Sequence, residues 1–148
     1  MTKTVLIING PNLNLLGERE PEIYGNVTLD DIKNLCEERG KSISLDINFI
    51  QSNSEGEIVE AIQNANKNFA GIIINAGALT HTSISILDAL LSIKIPIIEV
   101  HLSNIFTREA FRKESFISKA ANGVICGFGS KSYELALEAM SDLLKKKN

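Results

Sequence analysis

The chain has 148 residues, of which 44% are hydrophobic and 22% charged, with 10 glycines and 3 prolines. This length suits one domain, and the composition excludes collagen-like, disordered and low-complexity proteins. The net charge of −3 supplies no cationic field for a polyanion, so we expect no nucleic-acid partner. We predict a single domain over residues 1–148.

The first predicted elements are two strands separated by a long loop and a helix. Residues 5–9 form a short apolar run that predicts a strand buried on both faces. Residues 10–26 form a loop that is unusually long for a compact domain, which predicts a lid over a functional site. A capping-box pattern at residues 28–31 opens the first helix, and residues 43–50 predict the second strand.

The middle of the chain continues the alternation. Ser54 to Glu57 form a capping sequence that predicts the start of a second helix, and residues 71–75 predict a third buried strand. Residues 80–93 predict a third helix. The side chains expected on its buried face are Ile84, Leu87 and Leu91.

The last third of the chain completes the predicted fold. Residues 95–100 predict a fourth strand, and residues 104–118 are less regular, with a turn and a short helix. Residues 123–127 predict a fifth strand, and residues 130–146 a closing helix. Alternating strands and helices require right-handed crossovers, so we predict an α/β, flavodoxin-like three-layer sandwich with a five-stranded parallel sheet.

Cysteine usage and hydropathy indicate the setting of the protein. Cys36 and Cys126 match no metal-binding spacing, so we predict no metal site and read both as small apolar residues in a reducing compartment. We find neither a secretory leader pattern nor an apolar run of bilayer length. A cytoplasmic location and no membrane partner are therefore expected.

Ligands of such sheets bind beyond the carboxyl ends of the strands, where the winding direction reverses. The only two histidines, His81 and His101, fall just beyond the third and fourth predicted strands. Glu99 stands two residues before His101 in one strand, so both side chains point to the same side. There the carboxylate can accept from the imidazole and favour its protonated form, as in a general acid. The alternative is an ordinary structural hydrogen bond.

The predicted lid carries an arginine and a phenol, Arg19 and Tyr24. A guanidinium lowers the pKa of a nearby phenol, so Tyr24 could act as a base, although loop tyrosines more often simply pack. Arg112 could pair with a substrate carboxylate or belong to a solvated helix face.

Other polar residues at the same rim are Asn12, Asn75 and Ser103. They suit a small ligand with several hydroxyls, or are turn residues. No phosphate-binding loop, dinucleotide fingerprint or zinc-protease motif occurs, so no cofactor is predicted.

Residues 9–25, NGPNLNLLGEREPEIYG, closely resemble the signature of the type II 3-dehydroquinate dehydratases of the shikimate and quinate pathways. Three further segments agree with that family: residues 75–83 with 88–90, residues 99–104, and residues 108–115. The resemblance spans essentially the whole chain. It implies a single catalytic domain with residues 10–26 as its active-site lid, and a cofactor-free loss of water from 3-dehydroquinate through an enolate to give 3-dehydroshikimate.

The resemblance also implies catalytic roles. Tyr24 would take the C2 proton of the substrate, with Arg19 holding the phenolate. His101, positioned by Glu99, would protonate the departing C1 hydroxyl. Asn12 would hold a water near the developing enolate oxygen.

Substrate binding and assembly are implied in the same way. The residues implied to bind the substrate's hydroxyls and carboxylate are Asn75, His81, Leu102, Ser103 and Arg112. Asp88, which the helical pattern alone places at a solvated edge, would reach the site of a neighbouring subunit in a homododecamer, a tetramer of trimers. The sequence departs from the family pattern at Leu79, Leu102 and residues 113–116. We expect these departures to affect substrate affinity more than the catalytic chemistry.

The residues alone leave two alternatives to consider, one a different function and the other a different mechanism. A flavodoxin-like binding or signalling module would need acidic residues or a hydroxyl-rich loop after the first strand, where this chain has Asn9 to Leu13. Schiff-base dehydration, as in the unrelated type I enzymes, would need a lysine at the predicted strand ends, where none occurs.

Overall fold

The computed structural model describes residues 2–18 and 20–146. Its strands are β1 (Lys3–Asn9), β2 (Leu45–Gln51), β3 (Gly71–Asn75), β4 (Ile97–His101) and β5 (Gly123–Cys126). They form one parallel sheet in the order β2-β1-β3-β4-β5. This is the flavodoxin-like order, so the predicted fold class is confirmed.

The helices cover both faces of this sheet. They are α1 (Pro21–Tyr24), α2 (Leu29–Ser42), α3 (Glu55–Asn68), α4 (Ile84–Leu91) and α5 (Lys131–Lys146). Successive side chains of a strand point to opposite faces. Val5 and Ile7 of β1 therefore join the core beneath α2 and α5, whereas Leu6 and Ile8 join the core beneath α3 and α4. None of the described helices is long and apolar enough to cross a membrane.

The N-termini of α2 and α3 are capped as their sequences predict. Thr28 Oγ1 accepts from the backbone N–H of Asp31 at 3.1 Å, and Asp31 Oδ2 accepts from the Thr28 N–H at 3.0 Å. Hydrogen bonding of the Asp31 carboxylate to the backbone N–H and the side chain of Thr28 lowers the pKa of Asp31. Ser54 Oγ accepts from the Glu57 N–H at 3.2 Å. Each cap satisfies a backbone donor that the helix itself cannot.

The predicted third helix differs from the structure in extent and in its buried face. A 3-10 turn, Gly77–His81, precedes α4, whose N-cap is Ser83. Its buried residues are Ile86, Ala89 and Leu90. Ile84 and Leu91, predicted to face the core, are 58% and 59% exposed, and Leu87 is half-buried.

The reason for this error lies in the sequence of α4 and in its cap. Seven of its eight residues are apolar or serine, so hydrophobic spacing does not select one face. Ser83 does: its hydroxyl donates to Glu55 at the start of α3 and accepts from the Ile86 N–H at 2.9 Å. These two contacts set the rotation of α4 against α3.

Several element boundaries also shift. Residues 43–44 form a turn before β2, with Ser44 at φ 61°, and β4 begins after Pro96 rather than at residue 95. The segment after β4 forms three separate 3-10 turns instead of one short helix: Ile105–Thr107, Ala110–Arg112 and Ile117–Lys119.

Candidate active site

The predicted switch point places polar residues from three neighbouring strands at one edge of the sheet. Asn9 of β1 pairs in register with Asn75 of β3, and Ile74 pairs with Glu99 of β4. A pocket opens above these strand ends. Its lining includes seven of the predicted site residues: Asn12, Asn75, His81, His101, Leu102, Ser103 and Arg112.

Glu99 and His101 form a buried pair at the base of this pocket. Glu99 is 0% exposed and His101 is 5% exposed. Nε2 of His101 donates to Oε2 of Glu99, as the two-residue spacing predicts. The second ring nitrogen of His101, Nδ1, is then the one from which a proton can be transferred.

Two serines that the sequence reasoning did not select complete the surroundings of Glu99. Ser115 Oγ donates to Oε2 at 2.8 Å, and Ser118 Oγ donates to Oε1 at 2.5 Å. Burial acts to raise the pKa of Glu99, but the hydrogen bond and charge of His101 and the two hydroxyls together lower it below its usual value. The buried carboxylate is therefore ionised at neutral pH.

His81 lies beside this pair in a defined orientation. Its Nδ1 is 2.7 Å from the backbone oxygen of Glu114, and because a carbonyl only accepts, Nδ1 carries the proton. Burial lowers the pKa of His81; the Glu114 contact opposes this shift, and the charges of His101 and Arg112 reinforce it. A neutral ring protonated at Nδ1 has an acceptor at Nε2. The two imidazoles are 6.4 Å apart and nearly parallel.

A buried hydrogen-bond chain supports the pocket floor. Tyr133 of α5 donates from its hydroxyl to Asn9 Oδ1 at 2.6 Å and accepts from Asn75 Nδ2 at 3.0 Å. Asn75 Oδ1 accepts from the Gly77 N–H at 3.2 Å. Helical periodicity could have indicated that Tyr133 is buried, but its polar partners depend on the packing of α5 against the sheet.

Residues 10–12, at the start of the predicted lid, are hydrogen-bonded to residues at the end of β2 and just after it. Asn12 has φ 71°, and its N–H donates to Asn53 Oδ1 at 3.0 Å. Gln51 Nε2 donates to the same oxygen and to the Gly10 carbonyl, both at 3.1 Å. Gln51 and Asn53 were not selected from the sequence. They hold the backbone at Gly10 and Asn12, and Asn12 lines the pocket.

Two arginines line the pocket from the segment after β4. Arg112 Nε donates to Glu109 Oε1 at 3.2 Å, and its guanidinium lies 5.3 Å from the centre of the Phe111 ring. Arg108 pairs with Glu20 Oε2 at 3.5 Å, which connects this segment to the residue before α1. The pocket therefore has cationic groups suited to an anionic ligand.

Three other predicted residues are not among the described residues of this pocket. Arg19 and the side chain of Tyr24 lie outside the described residues. Asp88 is exposed on α4 and does not line the pocket. Within residues 2–18 and 20–146, no group of three or more His, Cys, Asp or Glu side chains is placed to hold a metal ion.

A sequence model of the dehydroquinase class II family matches residues 3–141. The chain belongs to the class II dehydroquinases. It is 58% identical to the 3-dehydroquinate dehydratase of Prochlorococcus marinus subsp. pastoris, covering 97% of this chain and 99% of that relative. It is 51% identical to the 3-dehydroquinate dehydratase of Phenylobacterium zucineum, over 98% of this chain and 100% of the relative.

A solved class II structure has the same fold. The type II dehydroquinase from Propionibacterium acnes superimposes with a TM-score of 0.92 at 43% identity, covering 96% of this chain and 98% of that one. Family and fold therefore agree over almost the entire length of this class II dehydroquinase.

Proposed function

We propose that the chain is a type II 3-dehydroquinate dehydratase, a hydro-lyase that converts 3-dehydroquinate to 3-dehydroshikimate and water in the shikimate or quinate pathway. The observation that carries this proposal is the buried pair of Glu99 and His101 at the base of the pocket. Relatives named 3-dehydroquinate dehydratase over nearly their full length support it. A flavodoxin-like module without catalysis accounts for neither the buried pair nor the similarity to these relatives.

The first step assigns the lid residues as base and stabiliser. Tyr24, as its phenolate, takes the proton from C2 of the substrate, and Arg19 holds the phenolate in its charged form. The electron pair of the broken C–H bond moves onto the neighbouring carbonyl to form an enolate. Asn12, on the pocket lining, holds a water that donates to the enolate oxygen.

The second step uses the Glu99 and His101 pair. The enolate electrons return to form the C1–C2 double bond as the C1–O bond breaks, and the leaving hydroxyl takes a proton to depart as water. His101 supplies this proton from Nδ1 while Nε2 stays bonded to Glu99. The ionised carboxylate compensates the charge of the imidazolium. Every step uses side chains, so we propose no cofactor and no metal.

Substrate binding follows from the remaining pocket residues. Arg112 pairs with the substrate carboxylate, for which a guanidinium offers two parallel donors. His81 accepts from a substrate hydroxyl at Nε2, and the Asn75 side chain contacts another hydroxyl. The backbone N–H groups of Leu102 and Ser103 donate to the carboxylate.

We further infer a homododecamer, a tetramer of trimers, in which Asp88 completes the site of a neighbouring subunit. Asp88 is exposed and lies away from its own pocket. Ile84 and Leu91, one turn on either side of it, are both more than half exposed. An apolar surface around a carboxylate on α4 is consistent with a subunit contact there. A cytoplasmic location remains a prediction from the sequence.

The direct test incubates the purified protein with 3-dehydroquinate and follows the enone absorbance of the product. We expect turnover without added metal or cofactor and unchanged turnover with a chelator. Borohydride added with substrate should label no lysine. A folded, assembled sample without activity would refute the proposed function, whereas covalent labelling of a lysine would replace the enolate route with a Schiff base.

A further inference from the structure

Residues 114–118, here called the bridging segment, contact both histidine systems of the pocket. The segment follows Arg112 and runs into the 3-10 turn Ile117–Lys119. Its backbone is anchored by the Phe116 N–H, which donates to the Thr80 carbonyl at 2.9 Å, and by Ile117, which is fully buried. It is therefore held in a fixed position beside the pocket.

Two serines of the bridging segment donate to the Glu99 carboxylate. Ser115 and Ser118 donate to different oxygens of Glu99, at 2.8 Å and 2.5 Å. Each oxygen of the buried anion thus accepts from a serine, and one of them accepts from His101 as well. Hydrogen bonds to the charged form of a buried carboxylate oppose its desolvation and keep it ionised.

The first residue of the bridging segment, Glu114, orients His81 through its backbone carbonyl. The Glu114 carbonyl accepts from Nδ1 of His81 at 2.7 Å, which leaves Nε2 as the acceptor of that ring. The two imidazoles lie nearly parallel at 6.4 Å. One short stretch of chain therefore determines which nitrogen is a donor in one ring and which is an acceptor in the other.

We propose that the bridging segment positions both histidines for catalysis: Ser115 and Ser118 keep Glu99 as the anion that maintains His101 as a proton donor, and the Glu114 carbonyl keeps His81 as an acceptor. The serines act through Glu99 and are positioning residues. This inference rests on the proposed function for its kinetic consequences, but not for its consequences on the ring nitrogens.

The charged and titratable groups around the pair come from every neighbouring element. His81 stands on the Gly77–His81 turn, and Arg108 and Arg112 border the pocket from the segment after β4. Cys126 of β5 is paired in register with His101. These groups are unchanged in the serine variants below, so a shift in pH dependence would report on Glu99, to which the serines donate.

The kinetic test compares Ser118→Ala, Ser115→Ala and the double variant with wild type. We expect kcat to fall about tenfold for each single change, since each removes a hydrogen bond to the charged form of Glu99. KM should change less than twofold. The acid limb of the kcat profile should move to higher pH, because Glu99 takes up a proton more readily without these donors. Ser118→Thr retains a hydroxyl, so its kcat and the acid limb of its pH profile should match those of wild type.

The matched control is Ser42→Ala, which removes a serine hydroxyl that donates to the Arg39 carbonyl at 2.7 Å, far from the pocket. It should leave kcat and the pH profile unchanged. Ser115 Oγ also accepts from the Ser118 N–H at 3.1 Å, so Ser115→Ala removes a local backbone contact. Where circular dichroism shows that this variant is unfolded, Ser118→Ala decides the question.

The second readout needs no activity. Because the chain has only two histidines, protein labelled with 15N-histidine gives two assignable rings. We expect His81 to be neutral with its proton on Nδ1. The 15N signal of His101 Nε2, which is bonded to Glu99, should show that Glu99 is protonated at higher pH in the serine variants than in wild type. Unchanged protonation of Glu99, followed at His101 Nε2, together with an unchanged kcat profile in folded Ser118→Ala, would overturn the inference. Wild type without turnover would instead refute the proposed function, while this titration would still test the positioning.

Discussion

Glu99 is a fully buried carboxylate that accepts hydrogen bonds from His101, Ser115 and Ser118. An isolated carboxylate in such a place would become neutral. The sequence shows the spacing of Glu99 and His101, and hence that they share a side of one strand. It does not show the serines, because they arrive from a 3-10 segment whose path depends on tertiary packing.

The first prediction concerns Glu99→Gln and pH. The pKa of Glu99 is lowered in the folded protein, so its contribution to stability is present above its usual pKa and is lost as pH falls through the folded value. The difference in unfolding free energy between wild type and Glu99→Gln should therefore shrink between about pH 6 and about pH 3. Urea denaturation at each pH measures it. A difference that does not vary with pH would contradict the lowered pKa.

The second prediction concerns Tyr24→Phe. The change keeps the ring and removes only the proposed base, so kcat should fall by a factor of at least about 10². Stopped-time assays of enone formation measure this, with the unfolding midpoint as a check of folding. Near wild-type turnover would leave Tyr24 as a packing residue.

The third prediction concerns Tyr133→Phe. Burial raises the pKa of Tyr133, so its hydroxyl stays protonated and donates to Asn9 while it accepts from Asn75. Its loss leaves buried partners unpaired and should cost about 1–3 kcal/mol of unfolding free energy. KM should rise, because the Asn75 amide loses its hydrogen bond to Tyr133 and keeps only the one from Gly77. Unchanged stability and KM would show that the chain of hydrogen bonds is dispensable.

At the scale of elements, local signals predicted most of the fold. The residue range of β3 and the caps of α2 and α3 agree with the sequence patterns, since both depend on nearby residues. The prediction of the buried face of α4 was wrong, because the rotation of this helix depends on Ser83 and Glu55, which are far apart in the chain. The same limit applies to Asn53 and Tyr133, whose partners come from other elements.

The fourth prediction tests how closely the loops after β1 and β3 approach. Gly10 donates from its N–H to the Asn75 carbonyl at 2.8 Å, and a Cβ at Gly10 would lie 2.3 Å from the Ala76 oxygen. Gly10→Ala should therefore destabilise the fold by on the order of 3 kcal/mol and displace the pocket floor. Gly123→Ala is the control, since a Cβ there meets nothing within 4 Å. Equal unfolding midpoints for the two variants would contradict this packing.

At the scale of the whole molecule, the fold of one chain brings some of the predicted site residues to the pocket and leaves Asp88 away from it. The sheet edge brings together Asn75, Glu99 and His101, but Asp88 remains on the outer face of α4. Periodicity gave Asp88 a solvated position, which the structure agrees with. Its role in a neighbouring site comes only from the family resemblance and stays a proposal.

The fifth prediction tests the proposed role of Asp88 by complementation. Asp88→Asn and Tyr24→Phe should each be folded and impaired. When the two chains are co-expressed, some sites receive an intact Tyr24 from one subunit and an intact Asp88 from another. Turnover should then exceed the average of the two parents. Simple averaging, or a fully active isolated monomer, would show that each chain builds its site alone.

The position of Tyr133 also has a spectroscopic consequence. The chain has no tryptophan and two tyrosines, so its intrinsic emission comes from Tyr24 and Tyr133 alone. In Tyr24→Phe the single fluorophore is a phenol at 0% exposure, hydrogen-bonded directly to Asn75 beneath the pocket. The variant that removes the proposed base thereby provides a built-in optical probe of the pocket floor, one that reports ligand occupancy without an added label.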